Sequence, residues 1–195
     1  MISQKSKNRK DTALLFFDFD YVLILFILGS VFSFLIGGFK ILLSFLLIFI
    51  SYFFIEDLLE NFGFDTIFEF EIITFACIIA AKYFKNVLAA IYIFFAIGII
   101  KAVDEICWPE EDEVENPFGI STISFAFATL MITLFPTLSL LHLVILANLA
   151  KMLFRCLVPY MLSRDVENFI YAFRNIPNLL MNIGLVLVFS SLVLH

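Results

Sequence analysis

Charge is scarce in this sequence. Asp, Glu, Lys and Arg together make up 15% of it, against about 25% in a soluble domain. With 63% of residues apolar and a mean hydropathy of +1.05, a water-soluble chain could not cover its own surface with polar groups. Histidine numbers two and cysteine three. They form no CxxC pair, no HExxH and no Cys/His cluster, which leaves no metal or redox centre to expect and no cofactor. Cys77, Cys107 and Cys156 lie far apart and suit small apolar packing positions. There is no glycine-rich phosphate loop and no G-x-S-x-G elbow. The basic residues are scattered, so nucleic acid has no footprint.

Long apolar runs take the place of the missing charge, and they need lipid as their solvent. The expected fold is all-α, a polytopic transmembrane helical bundle of about seven spans with short interfacial amphipathic helices. The basic start at Lys5, Lys7, Arg9 and Lys10 precedes an apolar run with no A-x-A-like site, so a retained first span is expected. Residues 1–12 form a basic polar tail, and 13–195 a single transmembrane domain.

The first two spans, about Tyr21 to Gly37 and Phe39 to Ile55, pair as a helical hairpin with a tight reversal at Gly37-Gly38. Glu56 to Asp65 alternates acids with Leu58, Leu59 and Phe62 at helical spacing, as in a helix lying in the interface. The third and fourth spans cover about Ile67 to Tyr83 and Val87 to Val103. An acidic loop, 104–117, follows, with Trp108 at the headgroup level. Residues 118–154 are almost uncharged, and one helix of that length would be ~55 Å long against a hydrocarbon core of ~30 Å. Two spans turning at Phe135-Pro136-Thr137 are therefore expected; a single kinked helix would make six spans in all. An amphipathic interfacial helix is expected at 163–176 and a last span at about Asn178 to Leu194.

Lys and Arg placement sets orientation. In the seven-span arrangement Lys5, Lys7, Arg9, Lys10, Lys101, Lys151, Arg155, Arg164 and Arg174 face the cytoplasm with the N-terminus, and only Lys40, Lys82 and Lys85 face out.

Ionisable groups inside spans are costly and mark functional candidates. Glu69, Glu71, His142 and Lys151 qualify as an intramembrane polar or ion path, with Asp18 and Asp20 near its mouth. The competing expectation is structural: Lys151 and the glutamates reach water or form ion pairs, and His142 makes an interhelical hydrogen bond. Asp18-Phe19-Asp20 matches the Asp-x-Asp of haloacid-dehalogenase-type phosphatases, but Tyr21-Val22-Leu23-Ile24 follows without a glycine turn, which argues against that chemistry. Gly29, Ser33 and Gly37 form a candidate helix-packing face, since small residues at this spacing let helices approach closely. Thr122, Ala126, Thr129 and Thr133 line a second such face.

The function class expected first is a non-enzymatic membrane subunit or scaffold associating through helix faces. Second comes a small transporter or channel-like protein moving a cation or proton past the intramembrane carboxylates. Third is a membrane enzyme acting on lipid. The implied partners are the lipid bilayer and other membrane subunits or a second copy, with no nucleic acid.

Overall fold

The computed structural model describes residues 12–56, 72–107, 116–163, 176 and 178–187. Every regular element among them is helical: α1 (Thr12–Ile50), a π-helical turn (Ser51–Glu56), α2 (Ile73–Phe84), α3 (Val87–Cys107), α4 (Ile120–Leu134), α5 (Leu140–Ser163) and α6 (Asn178–Leu187). Three stretches are long and apolar enough to cross a membrane: Tyr21–Phe53, Val87–Cys107 and Leu140–Met161.

α1 is two arms rather than one rod. Gly37 (φ −144°, ψ 17°) and Gly38 (φ 59°, ψ −149°) leave helical geometry. The Gly38 combination is open essentially to glycine alone. The arms fold back on each other: Phe26 and Phe49 have ring centroids 5.1 Å apart, and a Cβ on Gly29 would collide with the Phe45 ring. The expected hairpin at Gly37-Gly38 is thus present at the helix level.

α2 and α3 make a second hairpin through two residues. Lys85 takes the left-handed conformation (φ 57°) and donates its N–H to the Ala81 carbonyl, closing α2. Asn86 opens α3: its carbonyl accepts from the Ala89 N–H and its side chain from the Leu88 N–H at 2.9 Å. α4 and α5 form the third hairpin, around Phe135 to Ser139. Pro136 cannot continue α4, and Ser139 starts α5, its carbonyl taking the Leu143 N–H at 3.0 Å. The two helices expected within 118–154 are therefore separate.

The hairpin turns lie at one end of the bundle. Tyr83 donates its hydroxyl to the Ile36 carbonyl (3.3 Å), joining the first turn to the second. A cleft shared by Lys82, Lys85 and Pro136 joins the second turn to the third.

α2 occupies the centre. Nine consecutive residues, Ile73 to Ala81, are buried, as expected of a helix apolar all round. Around it, buried residues recur at helical spacing: Ile41, Phe45 and Ile48 on the second arm of α1, Ala89, Ile93, Ile97 and Ile100 on α3, Phe125, Ala128 and Ile132 on α4, and Leu140, Leu143, Val144 and Ala147 on α5. Val186 of α6 joins the same core.

Several expectations need adjusting. α2 has 12 residues and α4 has 15, below the ~17–25 of a full span. Three apolar helical stretches among the described residues are long enough to cross a membrane, one of them folded at Gly37-Gly38, while the expected third and last spans lie partly outside the described residues. The acidic loop begins later than its charges suggest, because α3 runs on through Asp104 and Glu105 to Cys107. Residues 1–11 of the tail, 57–71 of the interfacial segment and third span, 108–115 of the loop, 164–175 of the amphipathic helix and 188–195 of the last span lie outside the described residues.

Candidate functional site

The buried stripe of α5 changes character along its length. It begins as Leu140, Leu143, Val144 and Ala147, then becomes Asn148 and Lys151, with the half-buried Arg155 one turn on, spacings of three and four that keep them on one helix face. Asn148 is 3% and Lys151 only 1% exposed. The lysine does not reach water, one of the two outcomes the structural expectation allowed; the other, an ion pair with the glutamates, involves Glu69 and Glu71 outside the described residues. Its Nζ lies 5.0 Å from the centre of the Phe125 ring, and the Arg155 guanidinium 5.5 Å from the same ring. A cation over an aromatic face is attracted by the ring quadrupole, most strongly where water is excluded.

Phe125 is held there by α4. Its carbonyl accepts the Thr129 hydroxyl at 2.8 Å, and the Cys77 thiol approaches the same oxygen at 3.9 Å from the central helix. α4 also supplies hydroxyls for the arginine. Arg155 donates from Nε to Ser124 Oγ (3.2 Å) and from Nη2 to Ser121 Oγ (2.6 Å). The fork of guanidinium donors matches two hydroxyls three residues apart on one helix. Asn148 donates to the Val144 carbonyl (2.9 Å), while its Oδ1 is buried without a hydrogen-bond partner.

A second polar seam crosses the first two hairpins. The Tyr92 hydroxyl donates to the Ile41 carbonyl at 3.3 Å and stands 3.2 Å from Ser33 Oγ. Ser44 donates to the Ala76 carbonyl at 3.0 Å. The face of Gly29, Ser33 and Gly37 is consumed by these contacts: Phe45 covers Gly29, Tyr92 meets Ser33, and Ile41 and Tyr83 close over Gly37. On α4, Thr122 and Thr129 are buried, and Thr122 donates to the Pro117 carbonyl at 2.7 Å.

The ion-path candidates do not assemble. Glu69 and Glu71 lie outside the described residues, and the side chains of Asp18 and Asp20 do as well. His142 is exposed and pairs locally, its Nδ1 2.6 Å from Ser139 Oγ, so its bond is within the first turn of α5 rather than between helices. Ser139 is the reason: it caps that turn and presents its hydroxyl three residues away. Among the described candidates only Lys151 is buried; the Phe125 ring beside it, and the Ser121 and Ser124 hydroxyls that meet Arg155, carried no sequence signal beyond helical spacing. Among the described residues no group of three or more His, Cys, Asp or Glu side chains could hold a metal ion. The cluster can hold positive charge and orient hydroxyls; it presents no nucleophile–base pair.

Comparison of the chain with protein-family models, with curated proteins and with solved structures gives no match.

Proposed function

We propose that this chain is a multi-pass integral membrane protein serving as a non-enzymatic subunit or scaffold that associates through its outer helix faces. The observation that carries the reading is the contrast between the two faces of the first arm of α1. Its inner face is small and filled, while Leu28 (64% exposed), Phe32 (62%) and Leu35 (76%) run down the outside at spacings of four and three. Within Tyr21–Phe53 only 11% of the most apolar window is buried. A stripe of that length and bulk is not tolerated in water and is the ordinary surface of a helix in hydrocarbon.

Enclosure of the central helix supports a packed body rather than a conduit. The charged side chain that is buried among the described residues, Lys151, is positive, which gives no support to a cation route. In this reading the three hairpins give six crossing segments, shortened where α2 and α4 meet their turns, and α6 belongs to a seventh. The N-terminus lies in the cytoplasm, with Lys40, Lys82 and Lys85 on the far side.

Two measurements test this. Expressed chain should stay with membranes through an alkaline carbonate wash and need detergent for release. Purified gently in mild detergent, it should carry a stoichiometric partner or form a defined oligomer. Release by the wash would sink the membrane reading; a clean monomer would sink the scaffold reading.

A further inference from the structure

Among the described residues, the end of the bundle that carries the hairpin turns has lysines and no acid. No Asp or Glu occurs in residues 21–55, 72–103 or 116–163. The described carboxylates, Asp104 and Glu105, lie near the other end of α3, about 25 Å away along the axis at 1.5 Å per residue. Lys82 and Lys85 stand at this end, beside a cleft of ≈130 Å³ between the α2–α3 turn and the α4–α5 turn. Thr133 also lines it, its hydroxyl donating to the Leu130 carbonyl at 2.6 Å, and Ile132, Pro136 and Leu143 form its apolar walls. Leu134 and Phe135, between the lining residues Thr133 and Pro136, are exposed. Lys85 also sits at a positive φ, where glycine is the residue of least strain, so a lysine is present against the backbone preference.

We propose that this cleft binds the phosphate of an anionic lipid headgroup, with Lys82 and Lys85 supplying the charge and the apolar rim receiving the start of the acyl chains. The inference rests on the membrane reading above. Ammonium groups bind phosphate as point charges without demanding a fixed fork. No described carboxylate competes for them, and the apolar walls suit a ligand whose charged head continues into hydrocarbon.

The test uses the full chain in neutral detergent, titrated with phosphatidylglycerol and with phosphatidylcholine of the same acyl length, and read as lipid adducts by native mass spectrometry. Phosphatidylglycerol should be retained over phosphatidylcholine. The preference should weaken about fivefold for each lysine changed in Lys82→Gln and Lys85→Gln, survive in the Lys82→Arg/Lys85→Arg protein, and persist in Lys40→Gln, a lysine of the same end that does not line the cleft. On the unaltered chain, raising the salt should weaken the adducts, which keeps the test open should a Gln variant misfold. Equal retention of both lipids, salt-insensitive adducts, or a preference unchanged in the double Gln protein would overturn the proposal. Displacement by millimolar inorganic phosphate would also overturn it, in favour of a free-anion site. A chain that resists the carbonate wash yet shows no lipid preference sinks this site alone; a chain released by the wash sinks the membrane reading too.

Discussion

Lys151 Nζ stands 5.0 Å from the centre of the Phe125 ring, so a phenylalanine face on α4 borders a lysine on α5 that is almost wholly shielded from solvent. Two helices joined by a short turn thus meet, away from that turn, through a cation and a ring rather than through apolar contact alone.

That contact is measurable as a coupling. Phe125→Leu and Lys151→Met, made singly and together, should show a non-additive term of about 0.5–2 kcal/mol in unfolding experiments in detergent. Strict additivity would remove the interaction.

Arg155 should not be replaceable by lysine. Arg155→Lys keeps the charge but cannot reach Ser121 and Ser124 together, and a loss of about 1–2 kcal/mol is expected. Amide hydrogen exchange across the first turn of α4 should quicken in the same variant. Unchanged exchange there would show that the two hydroxyls do not depend on the guanidinium.

Gly29 and Gly38 should fail for different reasons. Gly29→Ala drives a methyl into the Phe45 ring and should cost about 1–3 kcal/mol, recovered in part by adding Phe45→Leu. Gly38→Ala meets nothing within 4 Å, yet its positive φ should cost about 1–3 kcal/mol, with no recovery from Phe45→Leu. Thermal unfolding of the three single variants and two pairs separates crowding from backbone strain.

Tyr92→Phe removes the hydroxyl that meets Ser33 and the Ile41 carbonyl. It should lower stability by about 0.5–1.5 kcal/mol, and adding Ser33→Ala should then change little. A full further loss from Ser33→Ala would mean that the serine has its own partner.

The hairpins were legible because their turns use local chemistry. Gly37-Gly38, Asn86 and Pro136 each impose a break that depends on a residue's own backbone and nearest neighbours, and such breaks survive any tertiary arrangement. Helix existence followed for the same reason from unbroken apolar runs. The interior was not legible to the same degree. His142 suggested an interhelical bond, but a serine three residues earlier captured it, and periodicity does not rank a local cap against a distant partner. Lys151 was expected to reach water or to form an ion pair; which ring would cover it depends on how α4 and α5 rotate about their axes, and spacing alone leaves that rotation open. Gly29, Ser33 and Gly37 were visible as a face, while their occupants Phe45, Ile41, Tyr83 and Tyr92 come from other segments and carry no mark that pairs them.

On the membrane reading proposed above, the tight reversals at Gly37-Gly38, Lys85-Asn86 and Phe135–Ser139 also bear on how the chain would enter a bilayer. Each hairpin can insert as a closed pair, so the only material it must carry to the far side is a turn of a few residues. For the first two turns the ionic load is Lys40, Lys82 and Lys85, and the third carries no Lys, Arg, Asp or Glu. Biogenesis of these three pairs would not require moving a single carboxylate through hydrocarbon.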